Sequence, residues 1–261
     1  VIVVKYGGNA MAADADDDPL LKEVAALHKA GEQIVLVHGG GPEIDAALAE
    51  RGVITERIEG QRVTDAATLA VTETVLCGTI NTRIVRALQS LGVSAAGISG
   101  HSSRTLVARR LRGSNGENLG YVGEITRVQT GPIEALLASH FLPVIAPLAV
   151  EENFANALNI NADASAGAIA AALHARALVL ATDVPRVLRD PDDPSSGIDL
   201  LTPDQAAAFA SSGACRSSMK PKLSAAARAA SNGTKSYICA THASTIQAAL
   251  AGDATAVTRL L

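Results

Sequence analysis

Two apolar stretches each run straight into glycines, and this pairing constrains the chain more than any other feature. "VIVVKYGG" spans Val1 to Gly8, and "QIVLVHGGG" spans Gln33 to Gly41. A β-branched run without polar alternation fits a strand covered on both faces, as in a parallel sheet. Between the runs, Leu20, Leu21, Val24 and Leu27 recur at helical spacing, with Gly31 as a stop. After the second run, Pro42 opens a helix to about Glu50. The order strand, helix, strand, helix predicts an α/β sheet with helices on its faces. Glycine lets the backbone approach a ligand closely, and successive N–H groups ahead of a helix form an anion nest. Phosphate is the natural guest of such a turn.

Two phosphate motifs are excluded. No G-x-x-x-x-G-K-[ST] loop occurs. "GGGPEI" has Ile44 where a dinucleotide fingerprint needs a third small residue, and it follows the second strand instead of the first. A nicotinamide cofactor is therefore a weak alternative. The net charge of −4 argues against a nucleic-acid partner, and 2% aromatic residues without Trp leave no stacking platform for bases.

The 261 residues are enough for one large domain or two lobes. Cys77, Cys215 and Cys239 are odd in number and far apart, which disfavours a disulfide framework or a zinc site and fits a reducing cytoplasm. No apolar run reaches membrane-spanning length, and no basic leader precedes "VIVVKY", so neither membrane nor signal peptide is expected. Asp65 is placed to cap a long helix from about Ala66 to Leu91. Hairpins are expected between Thr105 and Thr126, an Ala-rich helix over Ala162 to Ala175, and a strand over Ala177 to Ala181. The Pro- and Asp-rich loop Thr182 to Gly197 is a candidate functional surface. Two helices, about Pro203 to Ser212 and Pro221 to Asn232, precede a strand at Ser236 to Ala240. The acidic run Asp14 to Pro19 reads as a solvated loop and helix start.

"KYGGNAM", "VHGGGPEI", "GQRVT", "LNINADASAGA", "LATDVPRVL" and "MKPKLSAA" occur in this order across the chain. In this the sequence resembles the amino acid kinase family, most of all its members acting on N-acetyl-L-glutamate. The resemblance implies a three-layer αβα sandwich with a mainly parallel central sheet and two lobes. Residues 1–173 would bind the acyl amino acid and dimerise, and residues 174–261 would bind ATP. The implied reaction moves the γ-phosphoryl of ATP to a side-chain carboxylate, with Mg²⁺ carried by the nucleotide and no protein-held metal. Two alternatives stay open: a kinase of carrier-linked aminoadipate or glutamate, which Arg104, Arg109, Arg110 and Arg112 could serve as a basic patch, and a non-catalytic nucleotide sensor.

A carboxylate nucleophile is already ionised at neutral pH, so the chemistry needs charge neutralisation and not a general base. Lys5, closing the first strand, and Lys222 are the expected cations; the family's M-x-x-K pattern selects Lys222 over Lys220. Asp163 is the expected organiser between them, or simply an acid in the first turn of its helix. Asn159 and Asn161 are expected on the substrate, with turn formation and capping as the plainer role. The resemblance makes Arg62 a clamp on the substrate's α-carboxylate; the residues alone favour an exposed hairpin arginine. Gly40 and Gly41 should meet acceptor and phosphoryl, and Gly7 and Gly8 the ATP phosphates. Thr182, Asp183, Val184, Pro185, Arg186 and Val187, with Ala214, Cys215 and Arg216, should line the nucleotide site. His38 reads as a packed strand-end histidine. The pattern departs from the family at Arg186, Ser217 and Ser218, where glycine is common, and at "CATHAS". Arginine-inhibited members carry a helix ahead of the first strand, so an arginine-insensitive homodimer joined through the Ala66 to Leu91 helix is expected, without a PII-type regulator.

Overall fold

A computed structural model describes residues 1–7, 11, 17–184, 186–241, 244–253 and 257–261. Gly8 and Pro185, both expected at the site, lie outside the described residues.

The expected β-α-β-α start is present: β1 (Ile2–Tyr6), α1 (Pro19–Lys29), β2 (Ile34–His38) and α2 (Gly41–Ala49). Both strands are buried along their whole length, as their unbroken apolar runs require. Asp18 caps α1, its carboxylate accepting the Leu21 N–H at 3.0 Å, while Asp17 pairs with Lys22. The described part of the acidic run is thus a helix start.

The hairpin β3 (Arg57–Ile58) and β4 (Gln61–Arg62) follows. The single long helix expected from Ala66 is continuous but not uniform. It runs as α3 (Ala66–Glu73), a π-helical segment (Thr74–Asn81), and α4 (Thr82–Ser90), with the Asp65 side chain capping Thr68. The wider π turn leaves Gly78 exposed and turns Val75, Leu76, Ile80 and Asn81 to the buried side.

Strand β5 (Ala95–Ser99) pairs in parallel with β8 (Leu142–Ala146), which follows helix α5 (Gly131–Ala138). The expected hairpin region is one antiparallel pair, β6 (Leu106–Arg112) and β7 (Asn118–Val128). It closes with β9 (Leu148–Glu151) and β10 (Ala157–Asn159) into a small four-stranded barrel. β9 and β10 are too short for an alternation pattern, and sequence reasoning missed them. The C-terminal part comprises α6 (Ala162–Ala172), β11 (Ala177–Thr182), β12 (Leu200–Leu201), α7 (Pro203–Ser211), α8 (Lys220–Ala230), β13 (Lys235–Ala240), α9 (Thr245–Ala251) and β14 (Val257–Leu260).

One eight-stranded sheet runs β12-β14-β13-β11-β1-β2-β8-β5, parallel except where β13 meets β14. Its two faces carry separate cores. Ile2, Val4 and Tyr6 pack with α1, α4 and α9; Val3 faces α6 and α8. This is the αβα sandwich. Strand periodicity then puts Lys5 on the α6 and α8 face, beside Val3. β1 is central, with β2 on one flank and β11 on the other. From β1 the chain builds the sheet first toward β2 and later returns to its other flank at β11, and a crevice opens beyond the carboxyl ends of the strands. No helix among the described residues is long and apolar enough to cross a membrane.

Candidate active site

The crevice is a cleft of about 370 Å³ at the C-terminal ends of β1, β2 and β11. Lys5, Gly7, Gly40, Gly41, Arg62, Asn159, Asn161 and Asp163 line it. So do Thr182, Asp183, Val184, Arg186, Cys215, Arg216 and Lys222. Two expected residues are not brought there. Val187 is buried in the core, its N–H bonded to Thr258, and Ala214 is exposed outside the lining.

At the heart of the cleft, Asp163 holds two ammonium groups. Its carboxylate lies 3.0 Å from Lys5 Nζ and 3.3 Å from Lys222 Nζ. Lys5 reaches it from the end of β1. Asp163 stands in the first turn of α6, where an acid favours the helix dipole, and the same side chain contacts both lysines. Lys222 comes from the first turn of α8 and also donates to the Ser218 carbonyl at 3.3 Å. Of the two lysines weighed in the sequence, Lys222 lines the cleft, whereas Lys220 is exposed and does not.

α6 and α8 meet closely because both faces are built of small residues. A Cβ on Gly167 would lie 2.8 Å from the Ala225 carbonyl oxygen and 3.0 Å from its Cα. The Ala-rich composition of these helices therefore sets how near Asp163 and Lys222 come.

Burial opposes ionisation of Asp163, but Lys5 and Lys222 outweigh it and hold the carboxyl below the usual range. Burial also draws the Lys5 ammonium below the ordinary lysine value against the pull of Asp163. One carboxylate between two ammoniums leaves one net positive charge, which suits phosphate oxygens. Among the described residues no group of three His, Cys, Asp or Glu is placed to hold a metal ion.

The far end repeats this arrangement with different chemistry. Arg62 is buried rather than an exposed hairpin residue, and it pairs with Asp45 of α2. It also donates to Thr55 Oγ1 at 3.2 Å and the Gly41 carbonyl at 3.3 Å. Arg57 reaches the same Asp45 at 2.9 Å. Burial works against the Asp45 charge, yet the two guanidiniums hold its carboxyl below the usual range. Sequence reasoning missed Asp45 and Arg57; neither belongs to a recognisable spacing.

Asn161 caps α6, accepting the Asp163 and Ala164 N–H groups at 2.9 and 3.1 Å, so the capping role holds while its side also faces the cleft. Asn159 donates to Thr64 at 3.3 Å. On the β11 side of the cleft, Arg186 lies over Gly197 and pairs with Asp199 at 2.6 Å. Arg216 crosses to the Pro191 carbonyl at 3.0 Å, strapping the 182–197 loop to the segment before α8. The three cysteines are free; Cys239 is buried and its thiol is pushed up to about 12.

A cleft with paired lysines on an acid, a glycine turn at a helix start and an arginine at the far end has the parts of a phosphoryl-transfer site. The chain belongs to the amino acid kinase family, whose model matches residues 1–240. It is 39% identical over 245 residues to an acetylglutamate kinase of Methanothermobacter thermautotrophicus, covering 90% of this chain and 83% of that protein. It is 42% identical over 232 residues to an acetylglutamate kinase of Synechococcus sp. (strain CC9311), covering 89% and 80%. A solved structure from Streptococcus mutans superposes with a TM-score of 0.78 at 28% identity, covering 92% of this chain and 94% of that one.

Proposed function

We propose that this chain is an ATP-dependent kinase that phosphorylates the side-chain carboxylate of N-acetyl-L-glutamate, a step of arginine biosynthesis. The observation that carries the reading is the meeting of Lys5 and Lys222 on Asp163, in one cleft with the Gly39 to Gly41 turn and Arg62. The acceptor's α-carboxylate binds at Arg62, and its side-chain carboxylate points toward the lysines. A carboxylate oxygen attacks the γ-phosphorus, the bond to the β,γ-bridging oxygen breaks, and ADP leaves with that electron pair. No proton is transferred. Two anions must approach one another, so the barrier is lowered by the ammoniums and backbone N–H groups that neutralise the charge between them. Mg²⁺ on the nucleotide phosphates adds to that neutralisation. Gly7, Thr182, Asp183, Val184 and Arg186 take the nucleotide, with Arg216 at its rim.

The carrier-linked alternative gains no support from the arginine-rich hairpin. Arg109 pairs with Glu124, Arg110 pairs with Glu151, and Arg104 stacks over Phe154. The protein works as a cytoplasmic homodimer joined through the 66–90 helix, whose exposed Gly78 and Thr79 mark the outward face.

The test measures ADP release with N-acetyl-L-glutamate and traps the product with hydroxylamine. Hydroxamate should form in step with ADP. Tight ATP binding with no hydroxamate from any acidic amino acid would sink the proposal in favour of a sensor. Sedimentation of Gly78→Glu, expected to be monomeric, tests the dimer.

A further inference from the structure

The glycine turn does not hold its shape unaided. Beneath it His38 is completely buried, and its Nδ1 lies 2.8 Å from the Gly39 carbonyl oxygen. The other ring nitrogen, Nε2, lies 3.2 Å from the Asn81 carboxamide nitrogen. That nitrogen also sits 2.9 Å from the Val144 carbonyl oxygen. A carbonyl can only accept, so the Asn81 atom facing it is the NH₂ group. His38 Nε2 then faces a donor and must present its lone pair. The ring proton is left on Nδ1, which donates to Gly39.

The π-helical segment supplies Asn81 and the side chains packed against Gly40. Asn81 ends it, and its carboxamide oxygen lies where a Cβ on Gly97 would fall 2.0 Å away. Ile80 and Leu76 stand where a Cβ on Gly40 would meet them at 2.4 and 2.8 Å. One wide helical turn therefore packs against Gly40 and fixes the histidine tautomer together.

We infer that Asn81 and His38 are positioning residues for phosphoryl transfer: Asn81 sets the His38 tautomer, and His38 aims the Gly39–Gly40 peptide so that the Gly40 N–H faces the cleft. A trans peptide holds C=O and N–H in opposite directions. With the Gly39 oxygen held down on the buried imidazole, the Gly40 N–H is turned up toward the reacting groups. Burial above all, with Arg83 adding to it, keeps the imidazole neutral, which preserves the Nε2 lone pair. The inference rests on the proposed acyl-phosphate chemistry, which the wild-type hydroxamate assay tests separately.

Three readouts decide it. In ¹⁵N spectra of the wild type, one histidine should show the Nδ1–H tautomer at neutral pH, a result independent of activity; an Nε2–H or charged ring at position 38 overturns the inference. His38→Asn keeps an N–H₂ near the Nδ1 position, whereas His38→Leu keeps none. His38→Leu should lose kcat by about 100-fold with the ATP KM unchanged, as for a misplaced reacting group, while His38→Asn recovers much of the loss. Asn81→Asp, isosteric but unable to donate to Val144 or His38, should fold by circular dichroism and lose kcat in the same way. Equal kcat in His38→Asn and His38→Leu, or full kcat in folded Asn81→Asp, refutes it.

Discussion

At the scale of single residues, the site depends on which side chains are held and which are merely near. Lys222→Ala should lower kcat by about 100–1000-fold, the loss typical of removing one donor to developing charge, while Lys220→Ala leaves it near the wild-type value. Steady-state kinetics of the two variants side by side check this. His38 gives a prediction on stability. Burial, assisted by Arg83, lowers its pKa from 6.5 to about 4. Between those values the unfolded chain binds a proton that the native imidazole refuses. Stability is therefore flat from this source above pH 6.5, falls as pH drops, and has lost about 3 kcal/mol by pH 4. Urea unfolding of wild type and His38→Asn at stepped pH should show their stability gap closing across that window; a gap independent of pH contradicts the assignment. Lys5 was legible in the sequence because it ends an apolar run on two glycines. Asp45 and Asn81 were not, because their partners lie 17 and 43 residues away and no local spacing announces the contact.

At the scale of elements, the contact between α6 and α8 links composition to chemistry. The sequence marks one as an Ala-rich helix over Ala162 to Ala175 and places the other at about Pro221 to Asn232, close to the observed bounds. What it could not reveal is that smallness at one point sets the distance between a carboxylate and an ammonium on different helices. Gly167→Ala forces a methyl against the Ala225 backbone, which cannot yield as a flexible side-chain end would. The substitution should cost about 1–3 kcal/mol and move Asp163 away from Lys222, so kcat falls as well. Calorimetry with kinetics on the same preparation tests both halves, and a stable, fully active variant contradicts the account. The π-helical segment is the opposite case. Its sequence reads as ordinary helix, with Gly78 the one discordant residue, and the register change emerges only from what Leu76, Ile80 and Asn81 must reach.

At the scale of the whole molecule, the two expected lobes share a single hydrogen-bonded sheet. β1 pairs with β2 along one edge and with β11 along the other, residue for residue from Ile2 to Tyr6. The α/β class and the central strands were readable from unbroken apolar runs, whereas the two-residue β12 and the barrel strands β9 and β10 are too brief to declare themselves. Because one sheet spans the expected division at residue 173, urea unfolding should be a single transition by both circular dichroism and tyrosine fluorescence. Two transitions at different urea concentrations would mean that the halves melt independently.

Flanked on both sides, the first strand is the spine through which the cleft's two walls are stitched together. At the rim of the cleft it is one exposed side chain, Arg216, reaching the Pro191 carbonyl, that fastens the neighbouring loop.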